Sequence, residues 1–166
     1  ALLVVALEIL QGVTRFALDT PNAEDRQSYV STGFWFSLIS YTAFVIIIWL
    51  LPESVSRWLL DVDDHQILLR IGSFAIWAQG LYVYTLSQLR YQFKAREYAF
   101  VSIVYTMLYV GSIVILVKML DDPRGVFIGQ FLTAILMTGA SLYLGREDYT
   151  FVFDIPKFKE SIGFSY

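Results

Sequence analysis

The chain has 166 residues, of which 57% are hydrophobic and 16% charged, whereas an ordinary soluble domain has roughly 25% charged residues. Its apolar residues form long uninterrupted blocks, so the composition excludes an ordinary soluble domain and predicts helices that face lipid or one another. Cysteine is absent, which excludes a disulfide framework, a thiolate nucleophile and a cysteine metal site. The net charge of −3 excludes little, but the Lys and Arg residues are dispersed over separate loops, so nucleic acid is not expected as a partner.

Five apolar segments predict an all-α, polytopic bundle of about five transmembrane helices, with spans at residues 1–14, 34–51, 67–89, 98–120 and 125–145. The first segment extends only about 21 Å at about 1.5 Å per residue, whereas the hydrocarbon core is roughly 30 Å thick. Because no initiator Met or basic leader precedes it, we expect a truncated first span with its missing turns upstream. Trp35 and Trp49 lie near the ends of the uncharged second segment, as expected at opposite membrane interfaces.

Two of the connections between these spans carry local structural signals. Pro52 ends the second span, and the apolar residues of 53–64 recur on one helical face, which predicts a short interfacial helix. Arg70 and Lys118 lie near span ends, where a long side chain can reach the membrane surface. Residues 121–124 read Asp-Asp-Pro-Arg and predict a tight turn that makes the last two spans a helical hairpin.

The basic residues divide unequally between the two sides of the predicted spans. One side holds Arg15, Arg26, Arg90, Lys94, Arg96, Arg146, Lys157 and Lys159, and the other holds Arg57, Arg70, Lys118 and Arg124. Because cytoplasmic loops carry an excess of Lys and Arg, the larger set predicts the cytoplasmic side.

A polar stripe crosses the first segment. Glu8, Gln11, Gly12 and Arg15 recur at helical spacing and share one face. A charge near a bilayer centre costs roughly 2.5 to 3.5 kcal/mol, so Glu8 should face a wet cavity, pair with another charge or be protonated. Three interpretations remain open: ion coupling, substrate contact, or a hydrogen bond to another helix. Arg15 lies at the cytoplasmic end, where it can contact either lipid phosphates or a substrate.

Small and hydroxylated side chains also share faces on the later spans. These faces comprise Arg70, Ser73, Trp77, Gly80, Tyr84 and Ser87, then Ser102, Thr106, Tyr109 and Ser112, then Gly129, Gln130, Thr133, Met137, Ala140 and Ser141. Such faces are typical packing surfaces between membrane helices. A cavity rich in Tyr, Trp, Ser and Gln would also suit sugars, because rings stack on aromatics and hydroxyls exchange hydrogen bonds. Both interpretations can hold together.

Sequence signatures of covalent chemistry are absent. The chain contains no HExxH, GxxxxGK[ST] or GxGxxG run, and no Ser-His-Asp set is recognisable. Asp61, Asp63, Asp64 and His65 lack the spacing of a calcium loop and the ligands of a zinc site. We therefore expect neither an enzyme nor a metal site, and no cofactor.

Three loops resemble those of bacterial polysaccharide and O-antigen flippases. Residues 14–39 (TRFALDTPNAEDRQSYVSTGFWFSLI) resemble the family's Arg-aromatic helix end, its acidic polar cytoplasmic loop and the start of its third helix. Residues 89–98 (LRYQFKAREY) resemble the basic loop between its fourth and fifth helices, and residues 153–166 (FDIPKFKESIGFSY) resemble its interlobe linker. The chain departs from the family at Gly163, Phe164 and Ser165, where relatives often have Gly-Leu-Pro, so the lobe boundary stays open.

The resemblance implies the multidrug/oligosaccharidyl-lipid/polysaccharide exporter fold, in which two six-helix lobes face a central cavity. Residues 1–150 would form part of the N-terminal lobe, and residues 151–166 a cytoplasmic amphipathic linker into a following helix. The implied substrate is an undecaprenyl-diphosphate-linked oligosaccharide, moved by alternating access across the inner membrane of a bacterium or archaeon for surface polysaccharide biosynthesis. An H⁺ or Na⁺ gradient would drive it, and the partners would be this substrate, membrane lipids and the missing C-terminal lobe.

Residue roles follow from combining the polar faces with this resemblance. Arg15, Arg70, Gln79, Trp77 and Tyr84 are the predicted contacts to the substrate's diphosphate or sugars, and Glu8 is the predicted ion-coupling residue. Two alternatives remain: a membrane-embedded interaction or scaffold protein whose polar faces only pack, and another transporter of the same superfamily. A membrane acyltransferase or polymerase is a weaker option, because a His or a larger acidic group would be expected in its spans.

Overall fold

Four long α-helices follow one another in a computed structural model that describes residues 22–50, 65–150, 154 and 156. They are α1 (Ala23–Leu50), α2 (His65–Tyr91), α3 (Ala95–Leu120) and α4 (Arg124–Leu144), and a short 3₁₀ helix, Arg146–Asp148, follows. Each long helix is long and apolar enough to cross a membrane, and the described ranges contain no strand. The predicted all-α polytopic bundle is confirmed. The predicted first span and the interfacial helix at 53–64 lie outside the described residues.

Helix α1 begins at Ala23, whereas the predicted span begins at residue 34 and the resemblance implies a polar loop before it. That interpretation is wrong for the described part of the stretch. Asn22 caps the helix, because its Oδ1 accepts a hydrogen bond from the backbone N–H of Glu24 at 3.2 Å. Glu24 and Asp25 then place negative charge at the positive end of the helix dipole. The polarity that predicted a loop therefore belongs to a capped helix start.

The turn between α3 and α4 has the compact form that its sequence predicts. Asp121 adopts a left-handed conformation with φ 48°, and Pro123 immediately precedes α4 with helical backbone angles, at a helix start where a missing N–H costs nothing. Asp122 caps α4, because its Oδ1 accepts a hydrogen bond from the backbone N–H of Arg124 at 2.7 Å. Gly125 then lies so close to α3 that an added Cβ would be 2.8 Å from the backbone of Leu116.

Helix α2 is central in the bundle. It packs against α1, α3 and α4, while α4 packs against α2 and α3. The buried surfaces carry small and hydroxylated side chains, among them Ser31, Thr85 and Ser141, whereas large apolar side chains such as Met107 point outward. A helix bundle that folds in water buries its large apolar side chains and exposes its polar ones. The opposite arrangement seen here suits a bundle that is surrounded by lipid.

The described basic residues separate between the two ends of the bundle. Helices alternate in direction, so the start of α1, the α2–α3 turn and the end of α4 lie together. This is seen where the Lys94 ammonium donates a hydrogen bond to the Leu144 carbonyl at 3.3 Å. We call this the basic end, and it holds Arg26, Arg90, Lys94, Arg96 and Arg146. Arg70, Lys118 and Arg124 lie at the opposite end, as the predicted grouping requires. That the basic end faces the cytoplasm stays a prediction.

Candidate substrate-contact residues

Two of the predicted substrate contacts are cations, Arg15 and Arg70, and the structure describes Arg70. It lies in the second turn of α2, and its guanidinium carbon is 5.2 Å from the ring centroid of Trp49 at the end of α1. The Trp49 indole in turn packs edge-to-face against Phe74, with ring centroids 5.6 Å apart. A cation over an indole face is attracted by the ring quadrupole. Arg70 is therefore held against an aromatic pair at the end opposite the basic end.

Trp77 lies one heptad further along α2 and also faces α1. Its indole Nε1–H donates to the Thr42 hydroxyl at 3.0 Å, and that hydroxyl donates to the Leu38 carbonyl at 2.6 Å. Thr42 is exposed and Trp77 is half-buried. This pair thus lies at the edge of the α1–α2 contact, where the Trp77 side chain is only partly covered.

Tyr84 continues the same α2 face but is only 2% exposed. Its hydroxyl donates to the carbonyl of Val30 at 2.7 Å, and its ring lies 6.1 Å from that of Phe34. Buried polar groups in a bilayer need such partners, because no water replaces them. In this arrangement Tyr84 joins α1 to α2, and contact with a substrate would require the two helices to separate. Its substrate-binding role stays a prediction.

Gln79 lies on a different side of α2 and faces α3. Its Oε1 accepts a hydrogen bond from the hydroxyl of Tyr105. The Tyr105 ring stacks on Tyr82, with centroids 4.1 Å apart and planes at 16°, and on Tyr109, at 5.7 Å and 7°. We call Tyr82, Tyr105 and Tyr109 the tyrosine ladder. The structure therefore groups Arg70, Trp77 and Tyr84 on the α1 side and leaves Gln79 with the ladder.

Sequence reasoning did not single out Tyr105 or the ladder. The available signal was the spacing of Tyr105 and Tyr109, which are four residues apart and therefore neighbours on one helix face. The third ring comes from Tyr82 on α2, and only the packing of two helices brings it to the stack. Tyr105 and Tyr109 are both half-buried, although α3 is the least buried of the four spans.

The polar faces of α3 and α4 meet each other over part of their length. The Ser112 hydroxyl lies 3.1 Å from that of Thr133 and donates to the Gly129 carbonyl at 3.3 Å. An added Cβ at Gly129 would be 3.0 Å from the Ser112 hydroxyl, so glycine lets the two helices approach closely here. Here the packing interpretation is confirmed. Thr106, on the same predicted α3 face, is exposed instead.

A second set of polar contacts, which the sequence did not predict, joins the chain after α4 to α1 at the basic end. We call residues 146–150 together with Asp154 the return segment, because this part of the chain folds back from α4 onto α1. The Thr150 N–H donates to the Ser31 hydroxyl at 2.9 Å, and the Asp154 N–H donates to the Thr32 hydroxyl at 3.1 Å. Ser31 and Thr32 are buried, so these hydroxyls serve the return segment rather than solvent.

Further contacts strengthen this attachment. The Gln27 side-chain amide donates to the Glu147 carbonyl at 2.7 Å. The Tyr149 ring lies edge-on to Phe34 with centroids 6.0 Å apart, and it is buried beside Gly145. The start of α1 is therefore polar because another part of the chain supplies its hydrogen-bond partners.

The two remaining predicted residues, Glu8 and Arg15, lie outside the described residues. Within the part of the chain that the structure describes, no group of three or more His, Asp or Glu side chains is placed to hold a metal ion. The described side chains offer aromatic rings, amides and hydroxyls, which bind by stacking and hydrogen bonding.

Helices of membrane-spanning length, with small polar groups between them and apolar side chains outside, define a multi-pass α-helical membrane protein. The family model described as polysaccharide biosynthesis protein matches residues 4–166. The chain therefore belongs to this family, which confirms the resemblance seen in its loops. No curated protein and no solved structure matches the chain.

Proposed function

We propose that this chain is part of a transporter that moves an undecaprenyl-diphosphate-linked oligosaccharide across the inner membrane of a bacterium or archaeon. Membership of a polysaccharide biosynthesis family supports the pathway, and four apolar helices support a membrane location. Transport would proceed by alternating access, with the chain acting as part of one lobe and a second lobe completing the cavity. No covalent step on the sugar is proposed.

The observation that supports a sugar substrate is the tyrosine ladder together with the Gln79 amide that is hydrogen-bonded to it. Tyr105 and Tyr109 are half-buried, Tyr105 is stacked between Tyr82 and Tyr109, and the Gln79 amide lies beside them with its oxygen bound to the Tyr105 hydroxyl. Sugar rings pack on aromatic faces, and amide and hydroxyl groups exchange hydrogen bonds with sugar hydroxyls. Arg15, Arg70 and Trp77 complete the proposed contacts, the two cations for the diphosphate. Glu8 is the proposed site of H⁺ or Na⁺ coupling.

Export in a strain that lacks the native gene tests the proposal directly. We expect the deletion strain to lose surface polysaccharide while its lipid-linked oligosaccharide accumulates on the cytoplasmic leaflet. The full-length protein should restore export. A strain that makes no lipid-linked oligosaccharide at all would contradict transport, because the block would then lie in synthesis.

Variants of the ladder connect the function to this site. Tyr105→Leu removes the central ring of the stack, and Gln79→Leu removes its hydrogen-bond acceptor. Each should lower export about two- to tenfold, because an aromatic contact and a hydrogen bond each contribute about 0.5–1.5 kcal/mol. Tyr143→Leu is the matched control, since Tyr143 is exposed at the basic end and away from the ladder. Equal export by all three variants would remove the ladder from the substrate path.

A scaffold protein is the second candidate, and the Ser112–Thr133 and Tyr84–Val30 contacts favour it, because helix packing alone satisfies these polar groups. Cysteine labelling separates the two candidates, since the chain has no native cysteine. Thr106→Cys and Leu108→Cys place exposed thiols at similar depth on α3. A wet transport cavity predicts that a water-soluble maleimide labels position 106 faster than position 108. Complete protection of both positions would favour the scaffold.

A further inference from the structure

Helix α2 ends in a Schellman motif whose left-handed residue is Phe93, with φ 59°. The Lys94 N–H bonds the Leu89 carbonyl at 3.1 Å, and the Phe93 N–H bonds the Arg90 carbonyl at 3.2 Å, which are the two bonds that define this motif. Glycine usually occupies the left-handed position, because a Cβ there crowds the neighbouring carbonyl. Phenylalanine at this position therefore makes the turn less stable than glycine would.

Packing of the Phe93 side chain does not offset this conformational penalty. It is 89% exposed, the highest exposure among the large hydrophobic side chains that the structure describes. The turn joins the ends of two membrane-length helices, so Phe93 lies at the level of a membrane interface. An aromatic ring held outward at this level can enter the boundary between lipid headgroups and acyl chains.

Several cations lie near Phe93 in the chain or at the same end of the bundle. Arg90, Lys94 and Arg96 lie within three residues of Phe93, and Arg146 follows directly after α4, whose end Lys94 contacts. Arg90 and Arg96 are exposed, and Arg146 is exposed with its guanidinium carbon 4.9 Å from the ring centroid of Tyr143. We call Phe93 and these four cations the basic rim.

Acidic residues next to the rim cations in the sequence are Glu97 in the first turn of α3, and Glu147 and Asp148 after Arg146. Four cations therefore lie near three carboxylates in the sequence, so positive charge predominates by one at the basic rim. Arg90 also donates a hydrogen bond to the Tyr91 hydroxyl at 2.8 Å, which orients its guanidinium at the surface.

We infer that the basic rim binds anionic phospholipids, with Phe93 inserted at the headgroup level and the cations on the lipid phosphates. Charge complementarity favours lipid, because the predicted cytoplasmic leaflet is negatively charged and attracts basic segments beside a span. A soluble phosphate would use the cations but not the exposed ring. The inference goes beyond the proposed function, because it needs neither a sugar substrate nor transport.

Lipid retention by the full-length protein tests this binding. The protein is exchanged into nanodiscs of phosphatidylcholine with a minor fraction of phosphatidylglycerol, and the lipids that remain bound in detergent are counted by native mass spectrometry. We expect the wild type to enrich phosphatidylglycerol. Replacing Arg90, Arg96 and Arg146 together by Gln should abolish the enrichment, because each cation contributes about fivefold. Lys118→Gln, at the opposite end, should leave it unchanged.

Phe93→Gly provides the sharper variant, because glycine suits the left-handed position and should keep or raise thermal stability. Lipid anchoring predicts that this stable variant retains several-fold less phosphatidylglycerol. Retention equal to the wild type, or enrichment that survives the triple Gln variant, would overturn the inference. A photoreactive residue at position 93 should form adducts of phospholipid mass, and cross-linking to another part of the protein instead would also overturn it.

Discussion

The hydroxyl oxygens of Ser31 and Thr150 lie 3.3 Å apart, although 119 residues separate them in sequence. The Thr150 N–H also donates to the Ser31 hydroxyl, so the chain after α4 is tied to the third turn of α1. Residues 151–166 are predicted to be a cytoplasmic linker, and α1 therefore determines where that linker would leave the bundle. Any movement of α1 would carry the return segment with it.

Cysteines at positions 31 and 150 should form a disulfide on mild oxidation of membranes. The hydroxyl separation is short enough for a small side-chain adjustment to bring two sulfur atoms to bonding distance. The chain has no other cysteine, so protection of both thiols from a polymer-linked maleimide measures the bond by gel shift. The Thr106→Cys/Thr150→Cys pair is the control, because position 106 lies in the middle of α3. Similar yields from both pairs would contradict the described contact.

Gly125→Ala should destabilise the α3–α4 hairpin by about 1–3 kcal/mol, the usual cost of overpacking. Its Cβ would lie 2.8 Å from the backbone nitrogen of Val117, and a backbone cannot rotate away. Gly139→Ala is the matched control in the same helix, because nothing lies within 4 Å of its added Cβ. Thermal unfolding in detergent compares the two variants. A neutral Gly125→Ala variant would show that the helices are further apart than described.

Tyr84→Phe should lower stability by about 0.5–1.5 kcal/mol, because it removes one buried interhelical hydrogen bond and keeps the ring. Export per folded molecule should stay near the wild-type value if the hydroxyl only joins α1 to α2. Thermal unfolding and export, measured on the same preparations, separate the two roles. Lost export at unchanged stability would support the predicted substrate contact instead.

Glu8→Gln should abolish most export in the full-length protein while expression and membrane insertion remain normal. The amide keeps the size of the side chain but cannot take up a proton or balance a bound cation. Glu24→Gln is the control, because Glu24 is exposed in the first turn of α1. Export at the wild-type level by Glu8→Gln would remove its coupling role.

The structural features that the sequence predicts correctly depend on residues that are neighbours in the chain. The Asp-Asp-Pro-Arg sequence predicts the α3–α4 turn, because proline and aspartate act on their own backbone and that of their neighbours. Helix α1 begins eleven residues before the predicted span for the opposite reason. Its first turns are polar, and the partners of Ser31 and Thr32 come from residues near 150 that no local pattern reveals.

The candidate substrate contacts show the same difference between features that local sequence predicts and features that helix packing decides. Helical spacing alone grouped Arg70, Trp77 and Tyr84 on one face of α2, and the structure keeps them on the side of α1. Spacing could not show that Tyr84 is buried while Trp77 reaches the edge of the contact. Exposure depends on how far a neighbouring helix extends over each turn, and α1 covers the turn of Tyr84 more fully.

By itself, the sequence determined the membrane class, the positions of the apolar helices and the separation of basic residues between two ends. These properties follow from composition and from periodicity along a single helix, both of which are local. Only the tertiary structure decided that Tyr82 joins the stack of Tyr105 and that Thr150 meets Ser31. These contacts join helices distant in the chain, and their geometry depends on which small residues let those helices approach.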